Sequence, residues 1–175
     1  KVIAVDSRLD RVEPDSTMVN LIAIYRQGVD GLMNQGVATA VVDLKKDEAA
    51  LQNYVSDMVL SQAKKIYGKD IDLSIMNSGG IRNDIAKGKV SIGQIMGLLP
   101  FNNRIVVMTI TGKDLLEAFD VMASRGGDCV SENVDAVFDA ETKKCTIVKI
   151  NGEQVNPQKI YTLATIDYLA GGGDY

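Results

Sequence analysis

The sequence predicts a mixed α+β fold with helices and short strands interspersed, and three observations carry that prediction. Apolar residues recur at three- and four-residue steps in several segments, the period of a helix with one buried face. Short runs rich in Val, Ile and Thr lie between and after these segments, bounded by Gly, Asn or Pro, which are strand signals. The 175 residues, 46% apolar and 24% charged, suffice for a full hydrophobic core, so a single domain over residues 1–175 is expected.

The elements follow in order. After a short apolar start, Lys1 to Val5, the stretch from Pro14 to Gln35 places Met18, Leu21, Ile22, Tyr25, Val29, Leu32 and Met33 on one helix face, with Asp15 and Ser16 as starters and Gly36 as the stop. Val37 to Leu44 reads as a strand. A second helix from Asp47 to Tyr67 buries Leu51, Val55, Met58, Val59 and Ile66 and ends at Gly68. Ile71 to Met76 alternates like a strand and enters the loop Asn77-Ser78-Gly79-Gly80-Ile81-Arg82. A short helix starting at Ser91 turns Ile92, Ile95, Met96 and Leu99 inward until Pro100 stops it. Arg104 to Ile110 is a strand, and Lys113 to Ser124 is a helix broken by Gly126-Gly127. The last third is strand-rich: Val134 to Phe138, Thr146 to Ile150, an Asn151-Gly152 hairpin before Val155, and Tyr161 to Thr165. Helices interspersed with short strands and hairpins point to mixed α/β layers, not a bundle or a sandwich.

Composition removes several function classes. No histidine is present, so triads, imidazole bases and His-based metal sites are unavailable within this chain. A net charge of −4 disfavours nucleic acid, whose affinity rests on many Lys and Arg. No apolar run approaches the roughly 18 residues that span a bilayer, so no membrane span is expected. Cys129 and Cys145 are too far apart for a CxxC motif; two free thiols and a disulfide both remain open. The chain opens at Lys1 without Met or a signal peptide, and the numbering is expected to begin after processing or trimming.

Glycine-rich segments follow two strands, at Asn77 to Arg82 and at Gly171 to Asp174. Backbone N–H groups there can approach a ligand closely, and strand ends in α/β folds are where ligands bind. Neither segment has P-loop or GxGxxG spacing. Arg82 can clamp a phosphate or carboxylate, against the plainer alternative of a surface arginine paired with Asp84. Phe101 sits on a turn between helix and strand, and Tyr168 six residues before Asp174. Such rings can stack on a nucleobase, and a nearby carboxylate can accept from ribose hydroxyls; the alternative for each ring is ordinary packing.

Taken together, NSGGIRNDIAKGKVSIGQIMGLLPFNN at 77–103 and IDYLAGGGD at 166–174 resemble the C-terminal domain of the 5'-nucleotidase family. That family includes periplasmic nucleotidases with UDP-sugar hydrolase activity and animal ecto-5'-nucleotidase, and the resemblance implies its fold, four α/β/β/α layers with mixed sheets. Its signatures are an NGGGIR loop, a PFGN turn about twenty residues on and a terminal FLANGGDG-like segment; LKKDEAALQNYVSDMVL at 44–60 is similar more weakly to an upstream stretch. The resemblance implies that Phe101 and Tyr168 sandwich a base, Asp174 holds the ribose, and Asn77 faces the base in the loop carrying Gly79 and Gly80. Arg82 would be directed at the phosphate side, and Lys45 falls near a second phosphate-side arginine. Departures are Lys45 for Arg, Tyr168 for Phe, Ser78 and Asn102 for Gly, and Gln52 for Gly.

The resemblance also implies a partner: an N-terminal metallophosphoesterase domain whose two divalent metal ions perform the hydrolysis, in the same or a separate polypeptide. A chain without His is not that domain, so no cofactor is expected here. The implied role is the substrate-binding and specificity domain of a 5'-nucleotidase-type hydrolase that takes a nucleotide or nucleoside, in the periplasm or at the cell surface. The alternatives are a stand-alone nucleotide-binding module and a structural or interaction domain with a decayed site.

Overall fold

The computed structural model of the chain describes residues 15–68 and 70–174, apart from the side chain of Gln27. The apolar start at Lys1 to Val5 and the Pro14 helix position lie outside these residues. Helix α1 spans Ser16–Met33, and the Asp15 carboxylate caps it by accepting from the N–H groups of Thr17 and Met18 at 2.8 and 3.3 Å. Its apolar face is exposed rather than buried: Met18, Leu21, Ile22, Tyr25, Val29 and Leu32 all face away from the other described residues. Contact comes at the C-terminal end, where the Ile92 N–H donates to the carbonyl of Gln35.

Strand β1 (Gly36–Ala40) pairs antiparallel with β3 (Gly88–Ser91), a strand that the sequence does not announce because only Val90 of its four residues is apolar and buried. Helix α2 (Ala49–Tyr67) lies between them in the chain and buries Leu51, Val55, Ser56, Val59 and Ala63. Met58 is partly buried, but Ile66 is exposed, two residues before the left-handed Gly68 cap.

The central sheet has the order β4-β9-β2-β5, made of β2 (Leu73–Met76), β4 (Ile105–Thr111), β5 (Cys129–Val130) and β9 (Ile160–Ile166). β2 runs parallel to β9, while β4 and β5 pair antiparallel, so the sheet is mixed. Period-two alternation divides two cores across it. Met76, Ala164 and Ile166 face the cluster of Leu51, Val55 and Ala63 from α2. Leu73, Ile75 and Leu163 face Leu115, Phe119 and Met122 of α4 (Gly112–Ser124) together with Val134, Val148 and Ile150.

The last three residues lie on a second, antiparallel sheet of β6 (Val134–Asp139), β7 (Lys144–Ile150) and β8 (Glu153–Gln154). The β7–β8 turn is Asn151-Gly152 with φ of 53° and 80°, the two left-handed residues that a tight two-residue hairpin requires. Buried serines inside the fold are satisfied across elements. The Ser56 and Ser74 hydroxyls lie 2.6 Å apart, and the Ser74 N–H donates to Ser131 Oγ at 3.0 Å, tying α2 to β2 and the β5 end.

Short helix α3 (Ile92–Leu98) opens on a reciprocal capping box between Ser91 and Gln94. Leu98 is its fully buried residue, whereas Met96 is exposed. One further turn of helix, α5 (Asp167–Ala170), follows β9 directly. Both cysteines are free; Cys129 is fully buried, and burial pushes its thiol up to about 12.

Candidate functional site

Strand pairing brings the two predicted aromatics to one place. Ile105 at the start of β4 faces Ile166 at the end of β9, so the Pro100–Asn103 turn before β4 meets Tyr168 just after β9. A ring of hydrogen bonds fixes that junction: the Asp167 N–H donates to the Arg104 carbonyl at 2.9 Å, and Asp167 Oδ1 accepts from the Arg104 N–H at 3.0 Å. Parallel pairing of β2 with β9 then delivers Asn77 to the same end of the sheet, the carboxyl end where α/β folds hold ligands.

Asn77, Gly79, Gly80, Arg82, Phe101, Asn103, Tyr168 and Asp174 line one cavity of about 290 Å³. Phe101 and Tyr168 keep 47% and 46% of their surfaces exposed, whereas Phe119 keeps none; they are therefore not held there by core packing. The Arg82 guanidinium lies over the Phe101 ring at 5.0 Å, and the Arg82 N–H donates to the carbonyl of buried Leu98 at 2.9 Å. The plainer pairing of Arg82 with Asp84 is not what forms, because Asp84 bonds Lys45 and the Lys46 N–H.

The terminal glycine segment folds back on Tyr168. The Gly171 N–H donates to Asp167 and the Gly173 N–H to Tyr168 carbonyls, both at 2.9 Å. A Cβ on Gly173 would sit 2.6 Å from three Tyr168 ring atoms, so only glycine lets the backbone lie on that ring. This turn carries Asp174 back over the site. Tyr168 Oη donates to Asp174 Oδ1 at 2.8 Å, and Asn77 Nδ2 donates to Oδ2 at 2.7 Å. These bonds, Tyr168 first and Asn77 second, hold the Asp174 carboxyl below its ordinary value, while the same contact raises Tyr168.

The contact with a carboxylate also fixes the Asn77 amide, since its NH₂ must face Asp174. Its Oδ1 is buried without a hydrogen-bond partner, and a Cβ on Gly80 would come within 3.0 Å of it. A buried orphan acceptor beside a cavity is an opening for a ligand donor.

Lys45 is not among the residues that line this cavity. Its Nζ lies 3.1 Å from Asp84 Oδ2, and that hydrogen bond raises the Lys45 amine. Three contributors escaped the sequence reading of roles. Asn103 lines the cavity; Asp128 Oδ1 accepts from the Ser78 N–H and Oγ at 2.9 and 3.1 Å; Arg125 Nη1 donates to the Asp174 carbonyl at 2.8 Å. Only the Pro-Phe-Asn-Asn turn could have flagged Asn103, and no local signal links Arg125 or Asp128 to loops about fifty residues away.

Among the described residues, no group of three or more His, Cys, Asp and Glu could hold a metal ion. No described helix is long and apolar enough to cross a membrane.

Residues 30–175 match the family model for the 5'-nucleotidase C-terminal domain. The chain belongs to that family. Similar proteins include the trifunctional nucleotide phosphoesterase YfkN of Bacillus subtilis, 32% identical over 75% of this chain and 10% of its own length. Protein UshA of Escherichia coli is 33% identical over 59% of this chain and 19% of its length. The crystal structure of a 5'-nucleotidase precursor from Thermus thermophilus superposes with a TM-score of 0.77 at 27% identity, covering 92% of this chain and 35% of that one. This 5'-nucleotidase C-terminal domain thus spans a third or less of the curated relatives and about a third of that structure. The mixed α+β class read from the sequence agrees with that neighbour.

Proposed function

We propose that this domain binds the nucleoside part of a nucleotide between Phe101 and Tyr168 and presents its phosphate ester to a metallophosphoesterase domain. The carrying observation is one cavity that joins two half-exposed rings to a carboxylate and a guanidinium. Each suits a different part of the ligand. The rings offer stacking faces to a base. Asp174 accepts from ribose hydroxyls, Asn77 Oδ1 accepts a further donor, and Arg82 meets the phosphate side.

The chemistry itself belongs elsewhere. Phosphate ester hydrolysis is among the slowest uncatalysed reactions, and two divalent metal ions in a partner domain would activate water and stabilise the charge. The short share of each relative's length covered by this chain supports a partner in the same or a separate polypeptide. Residues 1–175 then act as one substrate-binding unit, placed in the periplasm or at the cell surface as the resemblance implies.

Ligand-observed NMR tests the reading. Saturation transferred from the protein to adenosine should reach the base protons and fall in Phe101→Ala, whereas ribose 5-phosphate alone should receive much less. Equal transfer to both ligands would refute base stacking as the source of recognition.

A further inference from the structure

Asp174 has φ of 68°, in the left-handed region that a residue with a Cβ seldom occupies. Such a conformation persists only where its surroundings hold it. The Tyr168 and Asn77 bonds reach the carboxylate, but the backbone carbonyl is gripped from another element. Arg125, the C-cap residue just past α4, donates from Nη1 to that carbonyl at 2.8 Å, and its Nη2 lies 3.9 Å from Oδ2. A cation is well placed there, because the C-terminus of a helix carries partial negative charge. Arg125 is not among the residues lining the cavity, whereas Asp174 is, so its grip on Asp174 gives it a route to a bound ligand.

We propose that Arg125 is the positioning residue of this site: it clamps Asp174 in the left-handed conformation and thereby aims the carboxylate at the hydroxyls of a bound ribose. The proposal rests on the nucleoside reading above. Arg125 spans α4 and the terminal glycine turn, so its removal lets the turn relax and Asp174 swing away while both aromatic faces stay in place. A lysine keeps the charge but offers a single nitrogen in place of the planar fork that meets both the Asp174 carbonyl and its carboxylate.

The test is calorimetric titration of the chain, Arg125→Ala and Arg125→Lys with adenosine and with 2',3'-dideoxyadenosine, alongside the backbone NMR shifts of Asp174, which report its φ. In Arg125→Ala, adenosine affinity should fall about tenfold or more, as for loss of a charged hydrogen bond. Dideoxyadenosine affinity should stay unchanged, Arg125→Lys should recover part of the loss, and the Asp174 shifts should leave the left-handed range. Equal losses for both nucleosides would mean a general structural role and overturn the proposal, as would unchanged adenosine binding. If the unaltered chain binds neither nucleoside, the nucleoside reading fails, and the Asp174 shifts still decide the clamp: left-handed shifts retained in Arg125→Ala overturn it, and shifts that move sustain it.

Discussion

Tyr168 donates its hydroxyl to the Oδ1 of Asp174 at 2.8 Å, which couples the half-exposed ring and the carboxylate into one unit. The family's usual phenylalanine at this position offers the ring alone. In Tyr168→Phe the stacking face persists but the carboxylate loses the largest of the influences that lower its pKa. A group so depressed is fully charged above its ordinary value of 3.8, and nucleoside binding is lost only as pH falls through the lower, folded value. Tyr168→Phe should therefore shift that acid midpoint upward with little change in affinity at pH 7, measured by titrations across pH.

Truncating either ring should be far more costly. Phe101→Ala and Tyr168→Ala are each expected to weaken nucleoside binding roughly five- to 150-fold, the range of a base–aromatic stack. Phe101→Ala also strips Arg82 of the ring beneath its guanidinium. Calorimetry with adenosine reads both; unchanged affinity in both would exclude the sandwich.

Asn77→Asp places a second carboxylate against Asp174 at the 2.7 Å contact. Two like charges at that separation cannot both ionise readily, so one proton is retained to higher pH. Nucleoside affinity should become pH-dependent above the ordinary carboxylate range, seen as a binding curve still rising between pH 5 and 7. A flat curve over that interval would show that Asn77 and Asp174 are not in contact in solution.

Lys45 and Arg82 should separate in their response to phosphate. Arg82 lines the cavity and Lys45 spends its amine on Asp84. Arg82→Ala should lower the affinity for AMP more than for adenosine, whereas Lys45→Ala should leave the ratio unchanged. Competition binding with both ligands measures that ratio directly.

The core prediction is independent of ligand. Phe119 is fully buried among Leu115, Met122, Leu73 and Val148, in the cluster joining α4 to both sheets. Phe119→Ala should destabilise the fold by about 3–5 kcal/mol through lost transfer energy and the cavity left behind, measured by urea unfolding.

Much of this arrangement was legible in the residues. The helix over Asp47 to Tyr67 and the Asn151-Gly152 hairpin follow from periodicity and turn chemistry, and the structure forms both. The rings at Phe101 and Tyr168 stand out as motif residues at loop edges, where core packing does not call for them. What escaped depends on partners distant in sequence. β5 is two residues long and exists because β2 offers an edge; β3 holds a single buried residue and pairs only because β1 is there. The face of α1 has the helical period, but periodicity reports a capacity for burial and not what covers the face. Ser78, a departure from the family's glycine, gains its sense from Asp128, whose carboxylate takes both its N–H and its hydroxyl. Arg125 and Asp174 meet across 49 residues, a contact that no local pattern encodes.

The most direct test of the account is a calorimetric titration of the chain with adenosine, AMP and UDP-glucose, carried to millimolar ligand. Saturable binding of adenosine and AMP that weakens about fivefold or more in Phe101→Ala is the predicted result. Absence of saturable heat with all three ligands, from a chain whose amide spectrum shows it folded, would contradict the claim that this cavity recognises a nucleoside.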